Sequence, residues 1–135
     1  MRPIVLCAAL FSCVQASVSI ASDDCVNNPA PVERHVCLEV LMAKTGSEVE
    51  RVEGQLQSRI TLWARDPADI RRSLALFEQD RVAYRAYRQA HCALEASSAV
   101  GSSDASDTRI ACEADLDRGW IETIKGALEK FELGD

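Results

Sequence analysis

The sequence predicts an all-α protein, an antiparallel bundle of three long helices, or of four if the first long helix breaks at Gly46. Apolar residues recur every three or four positions over most of the chain, and the alternation typical of strands is absent. Of the 135 residues, 47% are hydrophobic but only 5% are aromatic, so we expect a mostly aliphatic core. Two disulfide bonds are expected to cross-link this bundle.

The first 21 residues have the order of a secretory signal peptide. Arg2 precedes an apolar run, and small residues end at Ala21, where we expect cleavage, with Ala16 as the second choice. The segment Leu10–Cys13 also resembles a lipoprotein processing box, in which Cys13 would carry a lipid anchor. A buried N-terminal helix is the third interpretation of this segment. Residues 22–135 are then a single domain, periplasmic or secreted.

Export decides how the cysteines are interpreted. Four of the six lie beyond the leader, an even number that favours two disulfides in an oxidising compartment. Three connectivities are open, and chain distance favours the local pairs Cys25–Cys37 and Cys92–Cys112. A metal site built from these thiols with His35 and His91 is the alternative, although no CxxC or HxxxH spacing supports it. No cofactor is predicted.

The first helix is expected to run from about Pro31 to Ala64, because its apolar stripe keeps its phase across Gly46. A glycine there weakens the helix by about 1 kcal/mol. The acidic residues Glu48, Glu50 and Glu53 are expected on its solvated face. The stripe consists of Leu38, Leu41, Met42, Thr45, Val49, Val52, Leu56, Ile60 and Trp63.

The second helix should begin at Pro67 with Asp66 as its cap, and the polar stretch Ser97–Thr108 should form a loop before the last helix. No later stretch approaches about 18 apolar residues, so no transmembrane anchor is predicted. The second stripe consists of Ile70, Leu74, Phe77, Arg81, Tyr84, Tyr87, Arg88, His91 and Leu94. The third stripe consists of Ile110, Cys112, Leu116, Trp120, Ile124, Leu128 and Phe131.

The most unusual stretch places Arg81, Tyr84 and Arg88 on one helical face, with Tyr87 alongside. Guanidinium groups on an apolar stripe need acceptors, so these residues either form a structural polar network or present a patch to a partner. The loop Ser97–Thr108, with the flexible Gly101, is a second candidate contact surface. Motifs for phosphate binding, for a serine nucleophile or for a zinc protease are absent from the sequence, so catalysis is not expected.

These segments resemble the LprI-like N-terminal domain family, small exported bacterial domains named for lysozyme inhibition. Tyr87-Arg88 and Cys92 match its Tyr-Arg-Asp-x-x-Cys segment, and Cys112 with Leu116 matches its closing Cys-x-x-x-Leu segment. The resemblance covers residues 25–124 and includes the opening cysteine pair. The chain departs from the family pattern at Tyr84, Arg81, Gln89, Asp117 and Trp120. The resemblance implies a helical, disulfide-bonded domain and a lysozyme-type hydrolase as partner.

The charge balance agrees with a protein partner rather than a nucleic acid. The formal net charge is −6, and loss of Arg2 with the leader makes it −7. Since phosphate neutralisation supplies most affinity for nucleic acids, an acidic chain is unsuited to them. We therefore expect an exported binding protein, with inhibition of a basic lysozyme as its most concrete form. An envelope assembly partner and an immunity protein against a delivered toxin are the alternatives.

Overall fold

The computed structural model describes residues 22–63, 66–101 and 104–132, and this part of the chain is entirely helical apart from its turns. The all-α prediction is confirmed. Residues 1–21, with the expected signal peptide and Cys13, lie outside the described residues. Within the described ranges, no helix is long and apolar enough to cross a membrane. The helices are α1 (Ser22–Val26), α2 (Pro31–Trp63), α3 (Pro67–Ser97) and α4 (Asp104–Glu132).

Helix α2 is continuous over 33 residues and does not break at Gly46, as its unbroken apolar phase predicts. Most of the predicted stripe is buried, from Leu38 to Ile60. Met42 is only partly buried, and Trp63 is exposed because it lies in the last turn of the helix. Its indole ring is partly exposed and meets the ring of Phe131 edge-on, with 5.2 Å between centroids.

Helix α3 begins as predicted, with Pro67 at the first turn and Asp66 as the cap. The Asp66 carboxylate accepts a hydrogen bond from the backbone N–H of Ala68 at 2.8 Å. The predicted stripe is wrong towards the C-terminus, where Tyr87 and Leu94 are exposed. Because an α-helix has 3.6 residues per turn, Tyr87 and Leu94 lie to one side of the helical face that is centred on Tyr84.

The turn between α3 and α4 is shorter than predicted. Residues 104–108, which belong to the predicted loop Ser97–Thr108, form the first turn of α4. Carboxylates are favourable at this end of a helix because they face the positive end of its dipole. Asp104 and Asp107 also bind Arg34 of α2, which holds the turn in place. Gly101 has a φ of 92°, a left-handed conformation that glycine adopts without steric strain.

The three long helices run up, down and up, so α2 and α4 are parallel. Contacts at both ends show this, since Arg34 pairs with Asp104 and Trp63 meets Phe131. Between α2 and α4 lies the main aliphatic core, with Phe77 of α3 packed into it. A second, smaller cluster around Leu38 lies at the end where α1 packs.

Both local disulfides are present. Cys25–Cys37 joins α1 to α2, and Cys92–Cys112 joins α3 to α4. Because these bonds consume all four thiols, the alternative of a thiolate metal site is wrong. The Cys92–Cys112 bridge also links the two helices on either side of the turn that contains Gly101.

The continuity of α2 leads to a test at Gly46. No side-chain or other non-local atom lies within 4 Å of the position that a Cβ would take there. Gly46→Ala should therefore raise the free energy of unfolding by up to about 1 kcal/mol, by reducing the flexibility of the unfolded chain. Denaturant titration would measure it, with Gly54→Ala on the same helix as the matched comparison. A clearly destabilised Gly46→Ala variant would contradict this account of the helix.

Candidate protein-binding surface

Glu53 is the central polar group of the bundle. Its side chain is almost completely buried, at 4% exposure. The prediction that Glu53 lies on the solvated face of α2 is therefore wrong. Oε1 of Glu53 accepts a hydrogen bond from the indole Nε1–H of Trp120 at 2.9 Å, and Oε2 accepts from Nε of Arg81 at 2.8 Å. Arg85 donates to the same Oε2 at 3.3 Å. One carboxylate thus joins all three long helices.

A second polar group lies beside the first, around Asp117. Tyr84 donates its hydroxyl hydrogen to Oδ1 of Asp117 at 2.6 Å, and its ring stacks on Trp120 with 4.5 Å between centroids. Arg88 donates to Oδ2 of Asp117 at 3.1 Å and pairs with Glu113 at 3.1 Å. Burial raises the pKa of the Tyr84 hydroxyl well above its usual value, and the bond to Asp117 raises it further. Tyr84 therefore remains a donor.

The structure separates the four predicted site residues. Arg81, Tyr84 and Arg88 turn inward to carboxylates of α2 and α4. They therefore form a structural polar network and not a patch that is presented to a partner. Tyr87 turns outward and stacks on the ring of His91 at 5.2 Å. The first three residues are therefore unavailable to a partner, and a binding surface has to be sought elsewhere.

The junction of α2 with the start of α4 is held by Asp107, which the sequence analysis missed as an interacting residue. Its Oδ1 lies 2.6 Å from Nδ1 of His35, and its Oδ2 accepts from Nε of Arg34 at 2.9 Å. Although burial raises the pKa of the Asp107 carboxyl, the bonds from His35 and Arg34 lower it more. The bond to Asp107 raises the pKa of His35, against a smaller effect of burial. An ion pair at this junction therefore fixes the N-terminal turns of α2.

Directly on these turns, three valines form an exposed line that we call the valine ridge (Val32, Val36 and Val40). Their exposed fractions are 77%, 52% and 62%. They follow one another at i, i+4 and i+8, so they lie along one face of α2. Valine is a weaker helix former than alanine, lysine or glutamate, and more than half of each of these side chains is exposed. Such a local conflict is typical of a functional surface.

The surroundings of the valine ridge are acidic. Glu33 and Glu39 lie on α2 on either side of it and are exposed, and Asp104 is exposed at the start of α4. The guanidinium of Arg34 is occupied by Asp104 and Asp107. Val32 and Val36 also line a surface depression together with His35 and Asp107. The surface thus combines an apolar centre with a carboxylate rim.

Comparison with known proteins gives no relative: no protein-family model, no curated protein and no solved structure matches this chain. Within the described ranges, no three His, Cys, Asp or Glu side chains are grouped to hold a metal ion. The geometry itself therefore supplies the functional argument.

The central role of Glu53 leads to a second test. Glu53→Gln removes the buried carboxylate that Arg81 and Arg85 share and leaves Arg81 only the exposed carboxylate of Glu78, so the free energy of unfolding should fall by about 3 kcal/mol. Glu50→Gln is the matched control, because Glu50 is exposed on the same helix and its replacement should change stability by less than about 0.5 kcal/mol. Urea titration measures both. Equal, small effects would contradict the central role of Glu53.

The junction at His35 predicts a pH-dependent contribution to stability. The pKa of His35 is raised in the folded state. The contribution of His35 to the stability of the fold is therefore fully present below its pKa in the unfolded chain, 6.5, and is lost as pH rises through its pKa in the folded protein. The unsubstituted protein should therefore melt at a higher temperature than the His35→Gln variant, and this difference should be largest at about pH 5 and smallest at about pH 8. Asp107→Asn should abolish most of this pH dependence, and a constant difference would contradict the assignment.

Proposed function

We propose that this chain is an exported binding protein that inhibits a basic cell-wall hydrolase of the lysozyme type through the valine ridge and its acidic rim. The observation that carries the proposal is the exposed line Val32, Val36 and Val40 between exposed carboxylates. Two disulfides in a chain of this size suit an oxidising compartment, where such hydrolases act.

The charge distribution supports a basic partner. The chain carries 21 acidic against 15 basic residues, and Arg34, between Val32 and Val36 in the chain, is paired with Asp104 and Asp107. Lys44 marks the other end of the ridge, four residues after Val40. Lysozymes are commonly basic proteins. Opposite charges accelerate encounter and determine orientation, and this attraction is screened as the salt concentration rises.

The apolar centre supplies the affinity in this proposal. Interfaces of this kind have a desolvated apolar centre within a polar rim. Burying a valine side chain contributes about 1.5 kcal/mol or more. The ridge also lies on a helix that Cys25–Cys37 and Asp107 hold in place, so little conformational freedom is lost on binding. The resemblance to the LprI-like domains points to the same class of partner.

Titration of lysozyme activity with the disulfide-bonded protein tests the proposal. We expect inhibition that weakens with added salt, and an inhibition constant about tenfold higher for Val36→Gln. Leu62→Gln is the matched control, because Leu62 is exposed on the same helix but lies at its other end, and it should inhibit normally. Glu33→Lys should also weaken inhibition, whereas Glu129→Lys on α4 should have a smaller effect.

Two results would contradict the proposal. The first is unchanged activity of several lysozyme types at a large molar excess of the protein. The second is inhibition that Val36→Gln and Leu62→Gln reduce equally, since the valine ridge would then not be the contact surface. Circular dichroism of each variant shows that a loss of inhibition is not a loss of fold.

A further inference from the structure

A second apolar surface lies on α3, outside the valine ridge and the internal network. We call it the α3 face (Leu76, Ala83, Tyr87, Ala90 and Leu94). Its three large side chains are 60%, 55% and 68% exposed in chain order, and both alanines are exposed. The spacings of seven, four, three and four residues place all five on one side of the helix. This line is roughly 27 Å long at a rise of 1.5 Å per residue.

Four of the five residues of the α3 face are symmetric about residue 85 of the chain, and the fifth, Ala90, has Asp80 as its counterpart. Leu76 and Leu94 lie nine residues on either side of that point, and Ala83 and Tyr87 lie two residues on either side. An antiparallel copy of α3 would therefore place each Leu76 against Leu94 of the other copy and each Tyr87 against a small Ala83. A two-fold interface requires this kind of self-complementarity, in which one patch meets its own copy.

The polar side chains beside the α3 face also match in the antiparallel arrangement, because a ring N–H of His91 can donate to the carboxylate of Asp80. Asp80 and His91 lie on the same flank of the face, 11 residues apart and out of each other's reach within one chain. Across an antiparallel pair, they fall within about one residue rise of each other, and symmetry creates this contact twice. On the other flank, Arg72 and Gln79 fall within about one residue rise of Ser97 and Ala90, so like charges do not meet there.

The charges on the outward side of α3 are nearly balanced, because Arg81 and Arg88 turn inward to carboxylates of α2 and α4. The charged residues that remain exposed on α3 are Arg71, Arg72, Arg85, Asp69, Glu78, Asp80 and Glu95. A nearly balanced surface repels its own copy only weakly. We therefore propose that the protein forms a two-fold dimer in which the α3 faces of two copies pack antiparallel, with Asp80 of each copy against His91 of the other.

Sedimentation equilibrium of the disulfide-bonded protein tests this pairing. The weight-average mass should rise with concentration towards twice that of the monomer. Leu94→Glu should shift the dissociation constant upward at least tenfold, because it places a carboxylate in the apolar seam. Val40→Glu, an equally exposed position on α2, is the matched control and should leave the dimer unchanged.

A charge swap tests the antiparallel register directly. His91→Asp places two carboxylates opposite each other and should weaken the dimer, as should Asp80→Lys, which removes the acidic partner. The double variant Asp80→Lys/His91→Asp should restore it. Since these positions are out of contact within one chain, restoration can only come from contact between copies.

A monomer at all concentrations, or a Leu94→Glu variant that dimerises like the original, would overturn the proposal. Failure of the double variant to exceed both single variants would overturn the antiparallel register. These outcomes are independent of the proposed hydrolase inhibition, which depends on α2. An inhibitory monomer would refute the dimer alone, and a dimer without inhibition would refute the inhibition alone.

Discussion

The buried carboxylate of Glu53 is the constraint on which the arrangement of the long helices depends. It lies on α2 and accepts hydrogen bonds from Arg81 of α3 and Trp120 of α4. A buried carboxylate without such donors is strongly unfavourable, so the helices are restricted to a relative position in which all three groups meet. Aliphatic packing alone is more tolerant, because cores of similar volume accept many rearrangements. Burial of aliphatic side chains stabilises the bundle, and the contacts of Glu53 determine how the long helices are positioned relative to one another.

The helices themselves follow from sequence signals that act locally. The unbroken phase of the stripe across Gly46 predicts α2, and Asp66 followed by Pro67 predicts the start of α3, because caps and periodicity depend on neighbouring residues. The disulfides also follow, since each joins cysteines close in the chain. The turn between α3 and α4 is shorter than the sequence predicts, because polar residues such as Asp107 are typical of loops and here belong to the helix. What holds it is a contact with Arg34 and His35, more than 70 residues away.

The interior polar groups were only half predictable. The requirement for acceptors near Arg81 and Arg88 follows from their place on an apolar stripe. Which carboxylates supply them does not follow, because Glu53 and Asp117 come from other helices and the approach of helices is a tertiary property. One signal for Glu53 was available: it immediately follows Val52 and precedes Leu56 by three positions, at the edge of the buried stripe rather than opposite it.

The inward orientation of Arg81, Tyr84 and Arg88 also determines where recognition can occur. Arginine and tyrosine are frequent at binding hot spots, but here their donors are used by Glu53, Glu113 and Asp117. Apolar side chains on the outer faces of α2 and α3 therefore remain for contact with other molecules. Both faces belong to helices that are fixed covalently, α2 by Cys25–Cys37 and α3 by Cys92–Cys112. Rigid, pre-organised surfaces lose little conformational entropy on association, which favours binding through few side chains.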